Sequence, residues 1–229
     1  MADRSQWESP PHSLTRIVVR PLGSGLPLGF FAFGQGMFIL GGVGTRIIPA
    51  HDVKTAGLLL AAYVFPLEAA AMVIAFLARD TVGGTALGLF TTSWLALGLA
   101  LFMAKPGATS TSLGLYSCFF AAVVLVLGIA AVQGKPLIAA IMTVAAGRSI
   151  AGGIYEFTGN KTADTIGGVL AFAIAAAALY GGLAFLLEDA AQKEVLPVFR
   201  RGAAKDSLEG SLADQLGRVE SEAGVRQQL

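Results

Sequence analysis

Two residues stand where an apolar chain has least reason to carry charge. Glu68 lies near the middle of the run Thr55 to Ala78, and Arg148 near the middle of the run Leu137 to Phe157. A charge at the centre of a bilayer costs about 2.5 to 3.5 kcal/mol even on insertion scales, so each demands a partner or water. At equal depth the two can pair as a buried Arg-carboxylate bridge. The competing chemistry is a water-filled path, in which Arg148 attracts an anion and Glu68 takes up a proton. Residue order leaves both readings open.

Other chemistry has little to work with. The single cysteine, Cys118, lies inside an apolar run, where it reads as a small buried hydrophobe. His12 and His51 have no partner at ligand spacing, so no metal is assigned. Neither a phosphate-binding Walker loop, nor a strand-flanked dinucleotide fingerprint, nor a Ser-His-Asp set is present. The sequence therefore predicts no catalytic residue and no cofactor, and a membrane-embedded enzyme is the least supported class.

The elements that must position Glu68 and Arg148 follow from composition. Of 229 residues, 55% are hydrophobic and 14% charged, with a mean hydropathy of +0.69. The apolar residues lie in long runs, where a soluble core would interleave polar positions. Six runs reach bilayer length: Gly25 to Val43, Thr55 to Ala78, Gly83 to Ala104, Thr111 to Val132, Leu137 to Phe157 and Thr165 to Leu187. Their short connections leave no room for a second domain. The predicted fold is all-α, a polytopic membrane protein with six transmembrane helices in one bundle over residues 25–187 and the lipid bilayer as its first partner.

Residues 1–24 form a polar N-terminal tail, read as retained because the apolar run behind it is too long for a signal peptide and no small-residue cleavage site closes it. Six crossings place both termini on one side. Counted as far as Lys205, that side collects nine basic residues (Arg4, Arg16, Arg20, Arg79, Lys135, Lys193, Arg200, Arg201 and Lys205), against four on the other (Arg46, Lys54, Lys105 and Lys161). Both termini are thus expected in the cytoplasm, with the bundle in the plasma membrane. The basic residues are scattered, which gives no footprint for nucleic acid. Residues 188–229 form a polar tail in which Leu208, Leu212 and Leu216 recur at helical spacing, so a short amphipathic helix and disorder are the alternatives.

The first run carries seven glycines between Ser24 and Gly44. In lipid, helices associate through close contact of small residues, and Gly25/Gly29 and Gly84/Gly88 have the spacing for it. Pro66, two residues before Glu68, removes one helical hydrogen bond and leaves the carbonyl of Ala62 without its donor, which predicts a kink.

Leu26-Pro27-Leu28-Gly29-Phe30 followed by Phe33-Gly34 resembles the Asn-Pro-Ala-Pro-Leu-Gly-Leu signature that opens the first helix of the acetate uptake transporter family. The likeness continues through Tyr63, Thr81, Gly83, Thr85-Ala86 and Ser93-Trp94-Leu95, and more weakly to Gly114 and Tyr116. It implies a six-helix protomer, a hexameric homo-oligomer, and in each protomer a path for small carboxylates such as acetate, in some members succinate. By position, Pro27, Leu28 and Gly29 match the signature, Phe33 matches a constriction aromatic, and Phe90 stands where the family often has tyrosine. A third constriction member falls near Met142 or Val144. The chain departs from the pattern at Ser24 and Gly25, at Glu68 in place of a glutamine, at Ala75, and at Arg79-Asp80. These readings favour a channel or proton-linked transporter for acetate-like monocarboxylates. The alternative is a non-transporting accessory or assembly subunit on the same scaffold.

Overall fold

Every apolar run becomes a helix, because in hydrocarbon the backbone must satisfy its own hydrogen bonds. The computed structural model describes residues 23–202, except 79, 106 and 192, together with Lys205. Residues 1–22, Arg79 and the leucines Leu208, Leu212 and Leu216 lie outside the described residues. The six helices long and apolar enough to span a membrane are α1 (Leu26–Gly44), α2 (Val53–Leu77), α3 (Thr81–Met103), α4 (Thr111–Val132), α5 (Pro136–Thr158) and α6 (Lys161–Ala191). The protein is an integral membrane protein, and no strand occurs among the described residues.

Local chemistry sets the ends. Pro27 and Pro136 occupy first turns, where the missing N–H would have had no helical partner. Asp80 accepts from the Gly83 N–H at 3.0 Å and Asn160 from the Thr162 N–H at 2.9 Å, capping α3 and α6. A left-handed Gly159, with φ of 67°, stops α5. Asp80 also pairs with Lys135, which ties the α2–α3 turn to the α4–α5 turn at the end of the bundle that carries both termini.

The kink expected at Pro66 takes a specific form. Residues Leu60–Val64 make a π turn, and the Phe65 N–H reaches back five residues to the Leu60 carbonyl. The wider turn absorbs the irregularity that a proline imposes on the turn before it. Beyond it, Glu68, Ala71 and Ala75 fall on the buried face of α2.

Round the bundle the helices follow one another in the order α3, α2, α1, α6, α5, α4, and α3 meets α4 only lightly to close the ring. Close approach uses glycine as the sequence leads one to expect. At the α2–α3 crossing a Cβ on Gly57 would lie 2.5 Å from the Gly98 carbonyl oxygen, so the two backbones touch. Helices α2 and α5 do not pack on each other.

Residues 193–202, which composition assigns to a solvated tail, instead strap the end of the bundle. The Arg201 N–H donates to the Gly134 carbonyl at 3.0 Å, the Tyr180 hydroxyl donates to the Pro197 carbonyl at 2.8 Å, and Val198 is buried. Arg200 pairs with Glu188 and lies over the Phe185 ring, 5.5 Å from its centroid.

Candidate functional site

A cluster of aromatic rings occupies the middle of the bundle. Phe33 of α1 meets Phe90 of α3 edge to face at 4.7 Å between centroids, and Phe90 meets Phe120 of α4 at 5.1 Å. Trp94, one turn along α3 from Phe90, completes it at 6.0 Å from Phe33. Its indole needs a bare stretch of α1 to lie against, and Gly36 supplies it: a Cβ there would fall 2.9 Å from the ring.

Trp94 answers the question that Glu68 raised. Its indole N–H donates to Glu68 Oε2, and Glu68 is wholly buried, with Oε1 unpartnered. Arg148 takes no part. The pair that equal depth allowed does not form, because α2 and α5 lie apart in the ring and the aromatic cluster stands between them. Arg148 has no hydrogen bond or ion pair to any described residue, and the charge nearest to it in effect is Asp164. That carboxylate is held 3.1 Å from Arg46, which also donates to Thr165 Oγ1 at 3.0 Å.

Three cavities run in line through the ring. At the loop end farthest from the termini, a vestibule of about 470 Å3 is bordered by Arg46, Lys105, Lys161 and Arg148, with Glu156 and Asp164 as its carboxylates. Both carboxylates are engaged, since Glu156 accepts from the Ser110 N–H at 2.6 Å. With four basic side chains against these two carboxylates the vestibule carries an excess of positive charge, which raises the local concentration of anions. A middle cavity of about 20 Å3 shares Leu40, Leu97, Ser117 and Arg148 with the vestibule and is floored by Phe90 and Trp94. Beyond Phe90 lies a third cavity of about 30 Å3, bordered by Phe33, Glu68, Phe90 and Met142, which reaches Gly29, Leu26 and Gly83 at the starts of α1 and α3. Phe90 is the one lining residue common to the last two cavities.

The structure thus brings together Gly29, Phe33, Glu68, Phe90 and Met142 around one cavity and sets Arg148 on the other side of Phe90. Pro27 and Leu28 line none of the three cavities. Successive helical positions turn about 100° apart, so Gly29 faces inward while Leu28 is exposed on the outer surface. Val144 also lines none of them, while Met142 borders the third cavity together with Ile138 and Ile141 of the same helix.

Sequence reasoning missed the indole as partner of Glu68, and it missed Ser117, Ser149 and Phe120. A tryptophan in an apolar span signals that its N–H needs an acceptor. Which acceptor it finds depends on helix neighbours that periodicity does not reveal.

Fold and site together define a six-helix membrane protein with three cavities in sequence between its helices. No model of a known family matches the sequence, and no curated protein matches it. Among solved structures the chain is similar to the bacterial acetate channel SatP, with a TM-score of 0.66 and 20% identity, over 77% of this chain and 99% of that one. The likeness places the six-helix bundle in the same fold as that channel, in agreement with the resemblance carried by the first helix.

Proposed function

We propose that the protein is a channel or transporter for small monocarboxylates such as acetate. The observation that carries this reading is the line of three cavities, basic at one end, divided at Phe90 where its ring meets Phe33, and reaching the other end of the bundle. An apolar ring of this kind resists large hydrated ions by dewetting and admits a small acid or anion. The fold shared with an acetate channel supports the same substrate class. In this reading both termini are cytoplasmic, the vestibule faces outward across the plasma membrane, and the exposed apolar side chains of the helices meet lipid or further copies in a hexamer.

The test is uptake of labelled acetate by proteoliposomes. Saturable uptake above protein-free vesicles is expected, and Phe90→Leu is expected to raise the flux several-fold and to admit larger acids, with Phe33→Leu acting in the same direction. Uptake no greater than that of empty vesicles, from protein that remains folded and oligomeric, sinks the transport reading and favours an accessory subunit.

A further inference from the structure

The neck between the vestibule and the middle cavity holds three polar side chains with nothing to bind. Arg148 presents a half-buried guanidinium that borders both cavities and has no hydrogen-bond or ion-pair partner among the described residues. Ser117 borders both cavities and Ser149 the middle one, and neither hydroxyl is hydrogen-bonded to a described residue. By contrast, the other polar groups of the neck are occupied. Tyr116 and Ser93 bond to each other at 2.5 Å, and Ser93 also donates to the Leu89 carbonyl at 2.7 Å.

A guanidinium remains charged at any ordinary pH, so its position in the bundle has to be offset by an anion or by water. The protein's own candidates are used elsewhere. Asp164 is held by Arg46 at the rim, and Glu68 is bonded to Trp94 on the far side of the ring cluster. A planar fork of donors matches a planar carboxylate with two parallel hydrogen bonds, a fit that a spherical halide does not reproduce. Below the fork the walls change character. Phe90, Trp94, Phe120 and Leu97 line a cavity of about 20 Å3. A space little larger than one probe sphere of about 10 to 15 Å3 takes a group the size of a water or a methyl.

We infer that the neck is a binding site for the carboxylate of a two-carbon acid, its oxygens on Arg148 with Ser117 and Ser149 beside them, and its methyl pointing into the middle cavity toward Phe90. The inference rests on the proposed path and assigns it a resting site and a selection rule. Acetate fits as the structure stands, whereas a longer tail has to displace Phe90 or remain in the vestibule.

The site is read out by binding, independently of transport. The sequence holds two tryptophans, Trp7 and Trp94; Trp94 borders the cavity, so its fluorescence in a Trp7→Phe background reports occupancy. The full chain in nanodiscs is titrated at constant ionic strength with acetate, butyrate, chloride and uncharged acetamide. Acetate should give a saturable change, butyrate should bind more weakly and acetamide should give none. Arg148→Gln should weaken acetate binding about tenfold or more, the loss that goes with removing a charged hydrogen-bond partner. Arg148→Lys should retain part of the affinity and lose discrimination against chloride. Should Arg148→Gln fail to fold, the pair Ser117→Ala and Ser149→Ala replaces it, with a several-fold weakening expected.

Equal responses to acetate and acetamide, chloride competing as well as acetate, or wild-type affinity in Arg148→Gln would each overturn the assignment. Binding with no uptake in vesicles leaves the site standing and removes the transport reading. Uptake by Arg148→Gln at an unchanged KM removes the site and leaves transport.

Discussion

Trp94→Ala is expected to destabilise the bundle more than any other single truncation, by about 3 to 5 kcal/mol, the usual cost of removing a large buried ring. The indole is 1% exposed and touches three elements of the site at once: the Gly36 backbone, the Phe33 and Phe90 rings, and the Glu68 carboxyl. Its removal also strands Glu68, whose other oxygen already lacks a partner. Trp94→Phe separates the two effects, since most of the ring volume stays and the donor goes. A buried acceptor left unsatisfied costs about 1 to 3 kcal/mol, while apolar replacement of both partners is nearly neutral. Glu68→Leu should therefore recover much of the stability lost in Trp94→Phe. Thermal unfolding in detergent measures all four proteins of this cycle. If Trp94→Phe melts with the parent, or Glu68→Leu does not rescue it, the indole-carboxyl bond is not what holds this part of the core.

That bond also shows where reading the chain succeeded and where it stopped. Run length and charge count suffice for six helices, because the thickness of a bilayer dictates the span and the backbone has to be helical inside it. The cavity-lining residues Phe33, Phe90 and Met142 were reachable only through the family resemblance, since an isolated phenylalanine in an apolar run reads the same whether it packs or gates. Glu68 and Arg148 announced themselves by their charge. Their separation did not, because depth along two helices says nothing of whether those helices are neighbours in the ring. Arg148 is placed by its vestibule, Glu68 by an indole on α3, and both facts are properties of packing order.

The second large effect concerns the α2–α3 crossing. Gly98→Val is expected to abolish the tight pair, since a Cβ at that position lies 2.7 Å from the Gly57 carbonyl oxygen and 2.8 Å from the Ala61 nitrogen. The obstacles are backbone atoms, which cannot swing aside as a side chain does. Overpacking a core with extra methylenes costs about 1 to 3 kcal/mol when side chains can adjust, and here they cannot, so the upper end or beyond is expected. Gly57→Val should behave alike, its Cβ falling 2.7 Å from the Phe102 nitrogen. Gly152→Ala is the contrast: nothing lies within 4 Å of its Cβ, and alanine there should be neutral or stabilise the helix by up to about 1 kcal/mol. Yield of monodisperse protein and its melting temperature decide the matter. Normal folding of Gly98→Val would mean that the crossing is looser than its geometry, and the small-residue account of this bundle would have to be given up.

The π turn at Leu60–Val64 has a consequence for how α2 tolerates changes in length. Each residue of an α-helix advances the facing by about 100°, so a deletion below the turn would swing Glu68 away from Trp94 and toward lipid. The π turn already holds one residue more than an α turn needs. Deleting Ala61 or Ala62 closes that turn to ordinary helix and leaves both flanks facing as before. Alone among the parts of α2, this turn can lose a residue without turning the carboxylate out of the core.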